Sequence, residues 1–212
     1  MTPLYAIVDV DVCRGAGRDP TETAEAILSA GVSHLQIRAK TLGGGAFLAL
    51  VEHVAEAARR TGAAVVVNDR VDVARCAGVG VHLGQTDLPV AAARAILGPD
   101  AVIGRSTHDP DELEAALAEA ASYVAYGPVF ATRTKANPDP AVGLQGLAGA
   151  AARVRRDGRP LVAIGGITLE TAASVLAAGA DQVAVISDLV ASPDDPGARA
   201  RRFLRALSNE PV

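Results

Sequence analysis

Residues 63–87 read AAVVVNDRVDVARCAGVGVHLGQTD. An apolar run over 63–69 ends in Asn68-Asp69, RVDVARCAG follows with apolar positions at helical spacing and closes on Gly78, and a second strand-like run covers 80–85. Strand, helix, strand is therefore predicted here. The same alternation extends in both directions. Strand candidates lie at 4–10, 34–39, 63–69, 80–85, 101–106, 123–129, 160–166 and 182–187. Ala-rich amphipathic patterns fill the gaps, and a last one follows the eighth strand at 196–207. Asp109-Pro110 and Thr168 supply helix-starting chemistry, while Gly31, Gly62, Gly98, Gly158 and Gly179 close helical patterns. Eight strand–helix units in 212 residues predict a single α/β domain spanning residues 1–212, a (β/α)8 TIM barrel, rather than an open doubly wound sheet with fewer strands.

Composition narrows the partners. Half of the residues are apolar and the net charge is -4, which lacks the basic footprint of a nucleic-acid binder. Aromatics make up 3% and there is no Trp, so a stacking platform for single strands is also disfavoured. A small-molecule partner is expected; a homo-oligomer is left open. Cys13 and Cys76 lie far apart with no CxxC, which predicts two reduced thiols and a cytoplasmic setting. The apolar N-terminal run is broken by Asp9 and has no basic flank, so no signal peptide is expected, and no run is long enough to span a bilayer.

In a (β/α)8 barrel the C-terminal strand ends build the site, and here those ends are polar or Gly-rich. On the second strand Gln36, Arg38 and Lys40 share one parity. If that parity faces the barrel, the two cations need anions; if it faces the helices, Leu35, Ile37 and Ala39 fill the barrel instead. Asp69 and Asp87 end neighbouring strands, so they either converge on a hard cation, Mg²⁺ in preference to zinc, or each caps the helix that follows. Gly165-Gly166 and Ile186-Ser187 occupy the seventh and eighth strand ends, where barrels of this kind often hold phosphate on backbone N–H groups, the alternative being close strand–helix packing. The sixth strand runs into GPVFATRTK, residues 127–135, in which Thr132, Thr134 and Lys135 suit an anion and Arg133 suits solvent. The segment 135–146 is too long and Pro/Gly-rich for a tight connection. His34 and His53 read as structural. His82 reads as a core histidine, and His108 as either a rim base or part of a helix start.

QIRAK, VVNDRVDVARCAGVGVHLGQTD, GRSTH, YGPVFATRTK, AIGGI and VAVIS, in this order, resemble the thiamine-phosphate synthase family over nearly the whole chain. The resemblance implies a Mg²⁺-dependent transferase in a (β/α)8 barrel. Such an enzyme joins 4-amino-2-methyl-5-hydroxymethylpyrimidine diphosphate to 4-methyl-5-(2-phosphoethyl)thiazole, giving thiamine phosphate and pyrophosphate. By position it implies that Gln36, Arg38, Lys40, Asn68, Ser106 and Lys135 bind the pyrimidine diphosphate, with Arg38, Lys40 and Lys135 stabilising charge on the leaving pyrophosphate. Asp69 and Asp87 would hold Mg²⁺; Thr132, Thr134, Gly166, Ile186 and Ser187 would bind the thiazole phosphate. No general base is implied, because departure of pyrophosphate precedes capture of the pyrimidinylmethyl cation by the thiazole nitrogen. Two departures stand out: Val8 replaces a more usual Thr, and Asp188 stands where a small residue is common, placing a carboxylate beside a phosphate site unless it points away. The rivals are a thiazole tautomerase of the same fold, which has no need of the full set of diphosphate residues, and a non-catalytic sensor of thiamine precursors.

Overall fold

A computed structural model of the chain describes residues 1–132 and 139–208. Its strands are β1 (Leu4–Asp9), β2 (His34–Arg38), β3 (Ala64–Asn68), β4 (Gly80–Leu83), β5 (Ile103–Thr107), β6 (Tyr123–Tyr126), β7 (Leu161–Ile164) and β8 (Gln182–Val185). They pair in parallel, in chain order, and β8 returns to β1 to close the barrel. The helices among the described residues are α1 (Val10–Gly15), α2 (Pro20–Ser29), α3 (Gly44–Thr61), α4 (Val71–Ala77), α5 (Val90–Leu97), α6 (Pro110–Ala118), α7 (Gly143–Asp157), α8 (Ala172–Ala177), α9 (Ser187–Val190) and α10 (Pro196–Leu207). The eight expected strands are all present, and the (β/α)8 reading holds.

Two helices are additions to the sequence reading, and both are short. The run read as strand through Val10 stops at Asp9, whose Oδ1 accepts from the N–H groups of Asp11 and Val12 at 3.0 Å each and so starts α1 one residue on. α9 is a single turn after β8. Asp109 caps α6 as expected, accepting from Asp111 and Glu112 at 2.9 and 2.8 Å. Thr168 does not start its helix: its N–H donates to Thr171 Oγ1 at 3.0 Å in a preceding turn, and α8 begins only at Ala172.

Strand alternation sorts the core into two layers. Leu35, Ile37, Val65, Val67, Val81, Leu83 and Val183 point outward and pack with helix residues such as Phe47, Val51, Val54 and Phe203. Burying a side chain such as Phe47 contributes about 2–3 kcal/mol. The opposite parity fills the barrel with Tyr5, Ile7, Val66, Tyr123, Ala125, Val162 and Ala184. Polar side chains join them and hydrogen-bond to one another, although His34 Nε2 is buried without a partner among the described residues. At the lower end His34 stacks on Tyr5 with ring centroids 3.7 Å apart, its Nδ1 lies 2.9 Å from Gln182 Oε1, and Gln182 Nε2 donates to Thr2 O at 2.6 Å. Burial lowers the His34 pKa, as befits a neutral core imidazole. His53 lies on α3 at the surface, 3.0 Å from Glu25. Both histidines are structural.

Candidate active site

The inward parity of β2 is the one that carries Gln36, Arg38 and Lys40, and Leu35 and Ile37 face the helices. Gln36 is buried and donates to Tyr5 Oη at 2.7 Å. Arg38 ion-pairs with Asp9, its cross-strand partner in the β1–β2 register, and Lys40, half-exposed at the rim, ion-pairs with Asp69. The anions those cations require are thus present within the chain. Asp9 is a cavity residue that sequence reasoning missed: it figures there only as the break in the N-terminal apolar run, and nothing in a linear sequence pairs it with Arg38.

Above β3 and β4 the two carboxylates come together. Asp69 adopts a left-handed backbone (φ 64°), a conformation that costs about 1–3 kcal/mol in a non-glycine residue and is commonest for Asp and Asn. Asp87 Oδ2 accepts the Gly84 N–H at 2.7 Å. Neither caps a helix: α4 is preceded by Arg70 and α5 by Pro89, both without a capping side-chain bond. The capping alternative is therefore overturned. Burial, and after it the adjacent Asp69 carboxylate, push Asp87 above the usual carboxylate range. Among the described residues no third His, Cys, Asp or Glu joins them in a metal cluster. Two crowded carboxylate oxygens with no nitrogen or sulfur ligand fit a hard cation that takes its remaining ligands from water and phosphate.

The opposite side of the rim is built from main chain. Gly166 has φ 62°, and a Cβ there would stand 2.5 Å from Ala131 O, so the loop after β7 closes directly on the loop after β6. This close approach is loop against loop, not strand against helix. Ile186 and Ser187 lead from β8 into α9 on the same side. Asp188 also lines the cavity, but its carboxylate is taken up by the protein: both its oxygens accept from Arg199 Nη2 at 2.7 and 2.8 Å, and Oδ2 also accepts the Leu169 N–H at 2.8 Å.

A single cavity of about 1480 Å³ spans both sides. Gln36, Arg38, Lys40, Asn68, Asp69, Asp87, Ser106, Thr132, Gly166, Ile186 and Ser187 all line it, as do Asp9, His82 and His108. Thr134 and Lys135, like Arg133, lie outside the described residues. His82 uses both ring nitrogens, Nδ1 with Tyr123 Oη at 2.9 Å and Nε2 with Ser106 Oγ at 2.8 Å. His108 places Nδ1 2.8 Å from Glu112 and Nε2 3.4 Å from Asp139. Both cavity histidines are thus engaged by protein groups.

A family profile described as thiamine monophosphate synthase matches residues 4–189. The chain belongs to the thiamine monophosphate synthase family. It is 44% identical to the thiamine-phosphate synthase of Koribacter versatilis, over 96% of this chain and 95% of that protein, and 45% identical to that of Mycobacterium bovis, over 97% and 94%. The structure superposes on the thiamine phosphate pyrophosphorylase of Pyrococcus furiosus with a TM-score of 0.86 at 29% identity, covering 97% of this chain and 95% of that one. Among the described residues no helix is long and apolar enough to cross a membrane.

Proposed function

We propose that this chain is a thiamine-phosphate synthase that joins 4-amino-2-methyl-5-hydroxymethylpyrimidine diphosphate to 4-methyl-5-(2-phosphoethyl)thiazole, releasing pyrophosphate. One observation carries the reading: a single cavity has a rim of cations and paired carboxylates on one side and a glycine and main-chain rim on the other. Its volume exceeds the roughly 300–1,000 Å³ of a usual single-ligand pocket, as two substrates held together require.

Arg38, oriented by Asp9, and Lys40, tethered to Asp69, are the donors for the departing pyrophosphate, with Lys135 as a third cation. Gln36, Asn68 and Ser106 hold the pyrimidine. Asp69 and Asp87 would hold Mg²⁺, which supplies charge neutralisation to the leaving diphosphate when bound. Thr132, Thr134, Gly166, Ile186 and Ser187 would hold the thiazole phosphate and turn its ring nitrogen toward the pyrimidine. Cleavage of the methylene–oxygen bond leaves both electrons on pyrophosphate; the thiazole nitrogen lone pair then forms the new carbon–nitrogen bond, and no proton changes hands at these atoms. A site whose two histidines are already hydrogen-bonded suits such a reaction, because no general base is needed. Both thiols are free, as a reducing cytoplasm would keep them.

The test is pyrophosphate release by purified protein given both substrates, with Mg²⁺ or a chelator, and with each substrate withheld in turn. The expected result is release that requires both substrates and the metal and is matched by thiamine phosphate. A folded protein that binds the thiazole phosphate but releases nothing would favour a tautomerase or a sensor.

A further inference from the structure

The barrel interior contains a line of hydrogen bonds that the charged rim does not use. Gln36 Nε2 donates to Tyr5 Oη at 2.7 Å, Tyr5 Oη lies 2.9 Å from Tyr123 Oη, Tyr123 Oη lies 2.9 Å from His82 Nδ1, and His82 Nε2 lies 2.8 Å from Ser106 Oγ. The line begins and ends on cavity residues and crosses five of the eight strands. Tyr5 and Tyr123 are buried, so water does not compete for their hydroxyl groups. Space for the crossing is made by Gly104, where a Cβ would stand 2.1 Å from Tyr123 Cζ and 2.5 Å from His82 Nδ1.

Counting protons gives the line a direction. An amide nitrogen only donates, so Tyr5 Oη accepts from Gln36; the buried Tyr5 hydroxyl hydrogen must itself reach an acceptor, and Tyr123 Oη at 2.9 Å is the one in place, which sets the direction of that bond. Tyr123 then donates to His82 Nδ1, and a neutral imidazole accepting there carries its proton on Nε2, which donates to Ser106 Oγ. The Ser106 hydrogen is left for the cavity, and Gln36 keeps Oε1 as an acceptor. Burial raises the pKa of both tyrosines, which keeps them protonated and able to pass the order along.

We propose that Tyr5, Tyr123 and His82 are positioning residues that form one polarised relay, presenting Gln36 as an acceptor and Ser106 as a donor to the aminopyrimidine ring. An exocyclic amine and a ring nitrogen are one donor and one acceptor, the complement of that pair. The identity of the ligand rests on the synthase reading; the relay itself does not.

The first test therefore needs no turnover. Nitrogen-15 NMR of the His82 ring in the wild-type protein should show the Nε2–H tautomer, and Tyr123→Phe should shift His82 away from it. An Nδ1–H tautomer or an imidazolium in the wild type overturns the relay. The second test is kinetic. Tyr123→Phe should raise KM for the pyrimidine diphosphate about tenfold, the effect of one lost hydrogen bond, and leave KM for the thiazole phosphate unchanged. Gly104→Ala should do the same without removing any polar group. In a Ser106→Ala background the effect of Tyr123→Phe should shrink, because only the Gln36 end is left to lose; effects that multiply in full, or that fall equally on both substrates, overturn the proposal. A chain with no synthase activity but with His82 in the Nε2–H form would contradict the functional reading and leave the relay standing.

Discussion

The two halves of the cavity rim are built by opposite means. Over β1–β4 the work is given to charged side chains: Arg38 on Asp9, Lys40 on Asp69, and Asp87 crowded against Asp69. Over β6–β8 the chain brings glycine and main chain to the surface, engages the Asp188 carboxylate with Arg199 and sets Asp139 beside His108. The contrast matches what each half is proposed to hold. A leaving group gains charge during the reaction and is served by groups that can exchange partners, as Lys40 and Arg38 can exchange a carboxylate for a diphosphate. A phosphate that is only carried is served by fixed backbone donors, which cost no reorganisation.

Breaking the first half should cost most. Asp87→Ala, or Asp69→Asn, which tolerates the left-handed backbone, should lower kcat/KM about a thousandfold in steady-state assays while Tm stays within a few degrees. Near-normal turnover in either variant would remove that residue from the metal site. Breaking the second half should act on stability and on one substrate together. Gly166→Ala places a methyl group against Ala131 O in a left-handed backbone, so denaturant unfolding should register a loss of about 1–3 kcal/mol. KM for the thiazole phosphate should rise and KM for the diphosphate should hold.

Arg199→Ala sharpens the contrast by releasing Asp188. The freed carboxylate should raise KM for the thiazole phosphate about fivefold, with no effect on the diphosphate. The smallest effect is one of pH. Because the Asp87 pKa is raised in the fold, the metal-free carboxyl is protonated more readily folded than unfolded, and the protein loses stability as pH climbs through that raised value. Mg²⁺ competes with that proton. It should therefore raise Tm by about 2–4 °C at roughly pH 8 and by much less at roughly pH 5, as differential scanning calorimetry would record.

The charged half was also the more legible one in the sequence, for a physical reason. Alternation along a strand is local, so Gln36, Arg38 and Lys40 declare a shared face, and Asp69 and Asp87 declare strand ends. Which face points inward, and who stands opposite, depends on the register between strands and on how the barrel closes. Asp9 was overlooked because its pairing with Arg38 joins residues 29 apart across the β1–β2 ladder. The relay was invisible for the same reason, since Tyr5 meets Tyr123 over 118 residues, and only the absence of a side chain at Gly104 makes room for the contact. His82 was read as a core histidine, and it is buried with both ring nitrogens engaged, but its partners were unknowable from the sequence. The short helices α1 and α9 escaped notice because four to six residues carry no periodicity to read.

The division of the rim is tested most directly by calorimetric titration of the Asp87→Ala protein, first with the thiazole phosphate alone and then with the pyrimidine diphosphate and Mg²⁺. Retained thiazole phosphate binding with the Mg²⁺-dependent component of diphosphate binding lost is the predicted result. Loss of both, or retention of both, would contradict a cavity divided between a carboxylate rim and a main-chain rim.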